Sequence, residues 1–406
     1  MTVKSLIRKL TPNFLLSIYH YGLALLAAVL FWFPSKKLTV IGVTGTSGKS
    51  TTVDFITKIL EKAGHKVASV SSIRFKIGGK EWKNELKMTM PGRFHLQKFL
   101  KQAKRAGCKY VVLEVTSQGI AQYRHKFINF KTAVFTNLSP EHIESHNGFE
   151  NYREEKLKLF KAVKKIHILN LDDENVKYFL DVPADKKIGF SLKEVENIKT
   201  ENGISFSFKG TEFNLNFLGR FNVYNALAAI YMGLSEGISL SVCKTALEET
   251  KGIAGRMELV VKKPFTVIVD YAHTPEQLEA VYKSLRGKPL ICVLGSCGGG
   301  RDKWKRPVLG EIAKNYCKEV IITNEDPYDE DPIKIIEDVA SGSDGKAQKI
   351  LDRREAIKTA LKLASPNDTV VITGKGSEPW MCIKNGKKIP WDDCQIAREE
   401  LIKIER

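Results

Sequence analysis

The first long hydrophobic run of the chain lies close to its N-terminus. Residues 14–33 read FLLSIYHYGLALLAAVLFWF and contain no Lys, Arg, Asp or Glu. A helix of this length rises about 30 Å, close to the thickness of the hydrocarbon layer of a membrane. Basic residues flank the run on both sides, and Ala24 and Ala28 form a pair of small residues suited to close helix packing. We predict an apolar helix in residues 1–37 that spans a membrane, lies on its surface, or is a buried or dimer-forming helix.

Beyond residue 37 the pattern changes to short apolar runs that alternate with helical stretches. Strands that alternate with helices predict a mostly parallel sheet. One stretch, 204–217, alternates like a hairpin around Lys209 and Gly210. The predicted strands of this part are 38–43, 109–115, 132–138 and 166–172, and its clearest predicted helices are 50–63 and 222–234.

A second strand-and-helix series starts near Gly255. We therefore predict an α/β fold with a central domain and a smaller, Rossmann-like α/β domain after it. The predicted domains are 1–37, 38–254 and 255–406. The predicted strands of the last domain are 265–272, 289–295, 319–324 and 368–374.

Composition excludes several classes of protein. With 43% hydrophobic and 27% charged residues in 406, the chain has the composition of a globular protein and not of a disordered, fibrous or multi-span membrane protein. Seven cysteines in 406 residues are too few for a disulfide scaffold, which favours a reducing compartment. They include no Cys-x-x-Cys pair, which disfavours a zinc site. The net charge of +18 comes from lysines scattered along the chain. We therefore expect no nucleic acid partner and a surface that favours anionic ligands.

A Gly-rich loop follows the first predicted strand and precedes a helix. This context is that of a phosphate-binding loop, whose backbone N–H groups and helix N-terminus hold phosphates. The Lys would reach the β- and γ-phosphates and the Ser after it would hold Mg²⁺. The motif departs from the full Walker pattern because Val43 stands where a Gly is usual, and no Asn-Lys-x-Asp is present to select guanine. The loop residues are Gly45, Thr46, Ser47, Gly48, Lys49, Ser50 and Thr51.

An ordered set of motifs resembles one family from about residue 38 to the C-terminus. The set resembles the Mur ligases, and most closely the UDP-N-acetylmuramoyl-tripeptide synthetases among them. The motifs are EVTS (114–117), TNLSPEH (136–142), YREEK (152–156), NLDD (170–173), GRFNVYNA (219–226), GRME (255–258), DYAHTP (270–275), RDKWKRP (301–307) and GKGSE (374–378).

The resemblance implies an ATP-driven amide ligation. A carboxylate of the acceptor takes the γ-phosphoryl group of ATP, and the amine of an amino acid then displaces phosphate. Lys49, Glu114, His142 and Lys156 resemble the catalytic residues, and a carbamylated Lys156 is expected. Ser50, Glu114 and His142 resemble the Mg²⁺ ligands. Asn222, Asn225, Arg256 and Asp270 resemble the residues that contact the nucleotide.

Two further sets resemble substrate contacts of this family. The resemblance implies that the first set binds a muramoyl-peptide acceptor and the second binds the incoming amino acid. The acceptor set is Thr89, Ser117, Gln122 and Arg124, and the amino-acid set is Arg301, Asp326, Gly374 and Glu378.

The sequence departs from the family pattern at two points that bear on substrates. Family members of this type begin with a domain that binds the UDP end of the acceptor, whereas 37 mostly apolar residues precede the phosphate-binding domain here. The family motif Asp-Asn-Pro-Arg, which selects diaminopimelate, reads Glu-Asp-Pro-Tyr at 325–328. Without that Arg, two-pronged capture of a carboxylate is lost, so we expect an amino acid other than diaminopimelate.

The leading hypothesis is therefore a cytoplasmic ligase of cell-wall precursors that works at the inner face of the membrane. Its partners would be ATP, Mg²⁺, a muramoyl-peptide acceptor, an amino acid and, through residues 14–33, the membrane surface. Two alternatives stay open. One is a folylpolyglutamate-type or other amide ligase of the same superfamily, and the other is a membrane-associated phosphate-loop NTPase without ligase activity.

Overall fold

A computed structural model describes residues 12–86, 88–201 and 203–404 of the protein. The basic residues Lys4, Arg8 and Lys9, which precede the apolar run, lie outside the described residues. Contacts between Cα atoms divide the chain into two units. The first unit comprises the chain through Leu138, Glu150–Leu192 and Tyr224–Leu247, and the second comprises Ser139–Phe149, Lys193–Val223 and Glu248–Arg406.

The first part of the chain builds an eight-stranded sheet in the order β4-β3-β2-β5-β1-β6-β7-β8. Strand β3 is antiparallel to both of its neighbours, β2 and β4, and all other neighbouring strands are parallel. The elements in chain order are α1 (Asn13–Leu30), β1 (Thr39–Thr44), α2 (Lys49–Lys62), β2 (Val67–Val70), β3 (Arg74–Ile77), β4 (Lys80–Lys83), α3 (Arg93–Arg105), β5 (Tyr110–Glu114), α4 (Ser117–Ala121), β6 (Phe130–Phe135), α5 (Ile143–His146), α6 (Phe149–Ala162), β7 (Ile166–Asn170), α7 (Val176–Leu180) and β8 (Lys186–Phe190).

The second part contains a three-stranded sheet, β11-β10-β9, and a six-stranded sheet, β12-β13-β17-β14-β15-β16. In the larger sheet only β12 runs antiparallel to its neighbour. The elements are β9 (Val195–Lys199), β10 (Ile204–Phe208), β11 (Thr211–Leu215), α8 (Phe221–Ser235), α9 (Leu240–Glu248), β12 (Glu258–Val261), β13 (Thr266–Asp270), α10 (Pro275–Ser284), β14 (Leu290–Leu294), α11 (Lys305–Tyr316), β15 (Glu319–Thr323), α12 (Pro332–Ala340), β16 (Ala347–Ile350), α13 (Arg353–Leu363), β17 (Thr369–Thr373), β18 (Trp380–Cys382), β19 (Lys388–Pro390) and α14 (Asp393–Ile404).

These elements confirm the predicted α/β class with parallel-rich sheets. The central strands read as continuous apolar runs because helices cover both faces of such a sheet. Strand β1 lies between β5 and β6, and β14 and β17 lie side by side within the second sheet. The carboxyl ends of several parallel strands therefore meet at one edge of each sheet, which is where α/β proteins place their ligand sites. The predicted division at residue 254 stays a prediction, whereas the interleaving of the two units was not foreseen.

The N-terminal helix α1 ends at Leu30, three residues before the predicted end, and a 3-10 turn follows at Pro34–Lys37. Its inner face is made of small residues: Ala24, Ala27 and Ala28 are at most 2% exposed and pack the helix against α3. Its outer face is apolar and exposed, with Ile18 at 64% and Leu26 at 55% exposure. No helix in the described part of the chain is both long and apolar enough to cross a membrane.

A disulfide joins Cys292 in β14 to Cys317, the residue after α11, with the two Cα atoms 6.1 Å apart. The spacing of the cysteines did not predict this bond. It links a strand to the helix end that packs beside it, and both cysteines belong to the hydrophobic core of the second unit.

A buried ion pair joins α13 and α14, and we expect it to contribute to the stability of the second unit. Arg353 donates from Nε and Nη2 to the two carboxylate oxygens of Asp393 at 2.9 and 2.7 Å, and neither side chain is exposed. We expect Arg353→Ala to lower the free energy of unfolding by about 3–5 kcal/mol, because it leaves a buried carboxylate without its partner. Urea titration followed by circular dichroism measures this change.

The neighbouring Arg354 supplies the control. Its ion pairs with Glu399 and Glu400 are made by a side chain that is 41% exposed. We expect Arg354→Ala to cost less than about 1 kcal/mol. Equal losses in the two variants would contradict a special role for the buried pair.

Candidate active site

The phosphate loop follows β1 at the carboxyl edge of the first sheet. Both of its glycines lie where side chains of other segments approach the loop backbone closely. Gly45 and Gly48 have φ angles of +155° and +78°. A Cβ on Gly45 would lie 1.9 Å from Oγ1 of Thr136, and one on Gly48 would lie 2.2 Å from Oδ1 of Asn225. Larger residues at these positions would displace the loop, so the chain there presents backbone and not side chains.

The residues after β6 hold the loop in shape. The backbone N–H of Thr46 donates to the carbonyl of Asn137 at 2.9 Å, and that of Ser47 donates to Asn137 Oδ1 at 2.8 Å. The Thr136 hydroxyl donates to the carbonyl of Ser47 at 2.7 Å. Helix α2 begins within the motif, at Lys49. The remaining loop N–H groups and the start of α2 form a ready-made cradle for phosphate oxygens.

Side-chain oxygens suited to a hard divalent cation meet beside the loop. Ser50 Oγ donates to Glu114 Oε2 at 2.8 Å, and both side chains are buried. The register of β1 with β5 explains why Glu114 lies beside the loop, because Val43 at the end of β1 is opposite Glu114. The backbone N–H of Ser72, after β2, donates to the same Glu114 oxygen at 2.9 Å. A hydroxyl and a carboxylate fit Mg²⁺, which keeps waters and substrate phosphates as its other ligands.

Two lysine side chains bond to loop carbonyls. Nζ of Lys49 donates to the carbonyl of Thr46, and Nζ of Lys156 donates to that of Gly45, each at 2.7 Å. Lys156 is 1% exposed, and its ammonium lies 4.6 Å from the ring centre of Tyr152. The Tyr152 hydroxyl is hydrogen-bonded to that of Thr46 at 3.1 Å. Helix α6 thus carries a buried amine to the backbone of the phosphate loop.

The predicted nucleotide residues fall in both units. Asn225, in α8, accepts a hydrogen bond from Thr52 at 3.3 Å and so belongs to the loop region of the first unit. Asn222 belongs to the second unit and donates to the carbonyl of Leu218 at 2.8 Å.

The predicted acceptor residues surround the short helix α4. Ser117 opens this helix and is buried. Nη2 of Arg124 donates to Gln122 Oε1 at 2.8 Å, and Nη1 donates to the carbonyl of Met90. Thr89 precedes Met90 and is half-buried. The structure thus brings Gln122 and Arg124 together beside the segment that contains Thr89.

In the second unit, Arg256 and Asp270 lie together at the end of β13. Asp270 accepts hydrogen bonds from the backbone N–H groups of Met257 and Ala272, each at 2.7 Å. Burial raises the pKa of the Asp270 carboxyl, although the charge of Arg256 acts in the opposite direction. The Arg256 guanidinium lies 4.3 Å from the ring centre of Tyr271. Asp270 therefore fixes the turn that presents Arg256.

A buried ammonium joins two of the predicted amino-acid contacts. Lys375 is not exposed, and its Nζ donates to Asp326 Oδ1 at 2.9 Å and to Glu378 Oε2 at 2.8 Å. The same edge of the sheet holds Gly374, where a Cβ would lie 2.5 Å from Glu325 Oε2. The sequence motif contained Lys375, but sequence reasoning gave it no role.

The segment Ser139–Phe149 contains His142 and is fastened by residues of its own unit. Glu141 Oε1 lies 3.0 Å from Nε2 of His273, and Arg301 Nη1 lies 3.4 Å from Nδ1 of His142. Burial alone would raise the pKa of the Glu141 carboxyl, but the charge of His142 and the hydrogen bond from His273 hold it well below its usual value. Asp302 accepts from the backbone N–H groups of the first two residues of α5. The segment that carries His142 is thus held by contacts from the loop after β13 and from the loop before α11.

Two family models match this chain. Residues 43–233 match the Mur ligase middle domain, and residues 255–376 match the Mur ligase glutamate ligase domain. The chain belongs to the Mur ligase family. A protein of Syntrophomonas wolfei called UDP-N-acetylmuramoyl-L-alanyl-D-glutamate–2,6-diaminopimelate ligase is 38% identical over 404 residues, which cover 94% of this chain and 81% of that one.

Solved structures agree with this membership. A structure of a UDP-N-acetylmuramoyl-L-alanyl-D-glutamate–2,6-diaminopimelate ligase is 30% identical and matches with a TM-score of 0.61 over 91% of this chain and 79% of that chain. Folylpolyglutamate synthase of Mycobacterium tuberculosis matches with a TM-score of 0.70 over 89% of this chain and 96% of that chain, at 17% identity. At that identity the second match supports the fold alone.

In this Mur ligase the predicted site residues divide between the two units. The first unit holds the phosphate loop, Glu114, Lys156, Asn225 and the acceptor set, and the second holds His142, Asn222, Arg256, Asp270 and the amino-acid set. Among the described ranges, no three His, Cys, Asp or Glu side chains converge as a metal cluster. Sequence reasoning gave no role to Ser72, Asn137, Lys375, His273 or Asp302. Each of these residues is polar and lies either just after a buried strand or inside a family motif, and this position could have marked it as a candidate.

The backbone contacts of Asp302 predict a measurable effect on the His142 segment. The N–H groups of Ile143 and Glu144 donate to the Asp302 carboxylate at 3.2 and 3.0 Å. We expect Asp302→Ala to speed hydrogen exchange in the peptide that covers 139–149 by about tenfold, because two amides lose a charged acceptor. Mass spectrometry of exchanged peptides measures the rates.

A matched control is Asp331→Ala, which removes a carboxylate that caps α12 by accepting from Ile333 at 3.0 Å. This variant should leave exchange in 139–149 unchanged. Unaltered exchange in Asp302→Ala would show that Asp302 does not hold the segment.

Proposed function

We propose that this protein is an ATP-dependent amide ligase that adds an amino acid to a muramoyl-peptide precursor of the cell wall. The observation that carries the proposal is the arrangement in the first unit of the phosphate loop, the Ser50–Glu114 pair and the Lys156 amine. The names of the relatives supply the class of acceptor.

The reaction proceeds in two steps that these residues suit. A carboxylate oxygen of the acceptor attacks the γ-phosphorus of ATP, the bond to the β-phosphate oxygen breaks, and ADP leaves. The amine of the amino acid then attacks the acyl carbon, and the amide forms as phosphate leaves and the amine loses its proton. Phosphoryl transfer depends on positioning and charge neutralisation, which backbone N–H groups and Lys49 provide. Mg²⁺, held by Ser50 and Glu114, would neutralise phosphate charge.

Lys156 is assigned a carbamate. An uncharged lysine amine adds to CO₂ to give a carbamate and a proton, which turns a cation into an anion. The support is a buried amine whose Nζ lies 2.7 Å from the carbonyl of Gly45. A carbamate there would add a carboxylate-like group beside the backbone of the phosphate loop.

The second unit is assigned the remaining contacts. Arg256, Asp270 and Asn222 are assigned to the nucleotide, with Asn225 of the first unit, and His142 is assigned to a second Mg²⁺. The amino acid is assigned to the edge of the sheet that carries Arg301, Asp326, Gly374 and Glu378. Lys375 supports this assignment because it fixes two of those carboxylates in place.

Diaminopimelate is not the proposed amino acid, although the relatives' names contain it. Tyr328 stands where the family motif has its Arg, and its backbone N–H donates to the carbonyl of Cys382 at 3.1 Å. Tyrosine offers one hydroxyl where arginine offers a planar pair of donors for a carboxylate. An amino acid without a second carboxylate fits this position better.

Release of ADP tests the proposal. Purified protein receives ATP, Mg²⁺, a muramoyl-dipeptide acceptor and, in separate reactions, diaminopimelate, lysine, ornithine, alanine or glutamate. We expect release of ADP that requires both the acceptor and an amino acid other than diaminopimelate. Lys49→Ala should lower the rate at least about a hundredfold because the γ-phosphate loses its main cation.

Two further variants sharpen this test. Lys58→Ala removes a lysine from the same helix beyond the loop and should leave the rate unchanged. Lys156→Ala should be nearly as damaging as Lys49→Ala, and added short carboxylates should restore part of its activity. Full activity in Lys156→Ala would remove the carbamate role. ATP hydrolysis without any acceptor would favour the NTPase alternative, and a requirement for a pteroyl-glutamate acceptor would favour the folylpolyglutamate type.

We also propose that α1 holds the enzyme on the inner, cytoplasmic face of the membrane, where ATP is present. Exposed apolar side chains such as Phe14, Ile18, Leu26 and Leu30 cover its outer face. The chain has no acidic residue before Asp54, and seven Lys and Arg but no Asp or Glu between residues 86 and 113, a stretch that includes α3. An apolar helix packed against a basic one fits the surface of an anionic bilayer.

Sedimentation with lipid vesicles tests this location. We expect the protein to bind vesicles that contain anionic lipid and to bind neutral vesicles more weakly. The double variant Leu26→Glu with Leu30→Glu should reduce binding at least about tenfold, because two apolar side chains no longer enter the lipid. Both residues are exposed, at 55% and 57%, so the fold should be kept.

The matched control is Ile402→Glu on α14, where the isoleucine is equally exposed at 55%. It should leave vesicle binding unchanged. Absence of binding to either kind of vesicle would contradict the proposal. Loss of a dimer in the double variant, measured by light scattering, would identify α1 as a dimerisation helix instead.

A further inference from the structure

Helix α1 contacts the segments that carry the proposed acceptor residues. The ring of Tyr21 lies edge-on to the rings of Tyr123 and Phe127, with ring centres 5.9 and 5.2 Å away. Tyr123 lies between two residues of the acceptor set in the sequence. The alanine face of α1 packs against α3, which follows the segment that contains Thr89. All of these residues belong to the first unit, so α1 is a direct neighbour of the acceptor set.

The turn that meets Tyr21 has an uncommon backbone. Tyr123 and Phe127 have φ angles of +57° and +60°, in the left-handed region that bulky side chains rarely adopt. Such conformations persist only where surrounding contacts hold them. The ring of Tyr21 supplies one of these contacts, and the hydroxyl of Ser35, just after α1, accepts from the backbone N–H of Asn129 at 3.1 Å. The N-terminal segment therefore supports the shape of the turn that carries part of the acceptor set.

The outer face of α1 is apolar from Phe14 to Leu30. Every exposed residue in this range is Phe, Leu, Ile, Val, Tyr or Gly, and Trp32 beyond it is 81% exposed. Soluble monomers rarely expose a continuous apolar surface of this kind, and such surfaces mark contact with another molecule or with lipid. Tyr and Trp beside an aliphatic face are typical of a helix that lies at the boundary between lipid and water.

The charges around this face favour lipid over a second copy of the chain. Lys36 and Lys37 follow α1 and are exposed, and Lys98 on α3 is exposed as well. Nζ of Lys101, also on α3, lies 5.6 Å from the ring centre of Phe31. An anionic bilayer attracts each such lysine by about 1 kcal/mol. A second copy would bring the same positive charges to the contact, so like charges would oppose a dimer.

The distances match an acceptor that stands on the same surface. A helix with its side chains is about 10–12 Å across, so lipid on the outer face of α1 lies about one helix diameter from the acceptor set. An extended dipeptide spans about 7 Å, and the sugar that carries it adds to that length. A muramoyl-dipeptide head group fixed to a lipid chain therefore reaches the acceptor set without leaving the membrane surface.

We propose that the acceptor of this ligase is carried on a membrane lipid and that α1 holds the acceptor site against the lipid. The proposal rests on the proposed ligase function and on the proposed membrane contact of α1. It names the carrier as an apolar chain in place of a soluble nucleotide. An enzyme and an acceptor held on one surface meet at a raised effective concentration, whereas a soluble acceptor gains nothing from α1.

Kinetics with two acceptors that share one muramoyl dipeptide test the carrier. One acceptor is linked to uridine diphosphate and is soluble, and the other is linked through diphosphate to a polyprenyl chain in vesicles that contain anionic lipid. Release of ADP is measured for each, with the same vesicles present, saturating ATP and Mg²⁺, and the amino acid that gives the highest rate. We expect kcat/KM for the lipid-linked acceptor to be at least about tenfold higher than for the soluble one.

The double variant Leu26→Glu with Leu30→Glu tests the part played by α1. Both side chains are exposed on the outer face, and circular dichroism checks that the fold is kept. Two carboxylates on this face should oppose contact with the lipid, so the ratio of the two kcat/KM values should fall at least about fivefold. The matched control Ile402→Glu, on α14, should keep the ratio of the wild type.

Each contrary outcome overturns a defined part of the proposals. Equal or better use of the soluble acceptor by the wild type would overturn the lipid carrier and leave the ligase intact, even if the protein binds vesicles. This comparison decides the carrier whether or not the double variant folds. A preference for the lipid-linked acceptor that persists in the folded double variant would overturn the role of α1. Failure to use either acceptor with any of the amino acids would overturn the ligase function itself.

Discussion

The parallel register of β1 with β5 and β6 is the constraint on which the first site depends. It places three strand ends side by side. The loop after β1, the carboxylate that ends β5 and the polar residues after β6 are therefore neighbours at one edge of the sheet. At Gly45 and Gly48 the loop has no side chains of its own to cover its backbone. Glycines permit the approach of Thr136 and Asn225, and Asn137 fixes the backbone N–H groups. A phosphate cradle of this kind is therefore a property of the whole sheet edge.

In the second unit, too, polar residues lie at the carboxyl ends of strands of one sheet. The ends of β13, β15 and β17 bring Asp270, Asp326 and the loop of Lys375 to one edge. There the charges are largely paired with one another. The buried ammonium of Lys375 bridges two carboxylates, and Asp270 accepts from the backbone N–H of the residue after Arg256. Buried charges that are paired in this way hold the surrounding loops in one arrangement. Arg256 and Arg301 are therefore carried by a rigid part of the structure.

Much of this could be predicted from the sequence, for physical reasons. Buried parallel strands are continuous apolar runs, so β1, β5, β13 and β17 were predicted close to their observed bounds, and the phosphate loop follows from its place between a strand and a helix. Contacts that depend on distant side chains could not be predicted. Nothing in the sequence pairs Glu141 with His273, Arg93 with Gln122, or Cys292 with Cys317. The apolar run also gave no sign that its helix would end at Leu30, because apolar composition does not mark a helix terminus.

The short segment Ser139–Phe149 belongs to the second unit, although the chain on both sides of it belongs to the first. Neither unit is therefore one continuous stretch of sequence. A recombination event that exchanged everything after residue 254 would carry away His273 and Asp302 but leave Glu141 and His142 behind. Chimaeras that join the two halves of distant relatives therefore need matched residues at 139–149 as well as at the junction.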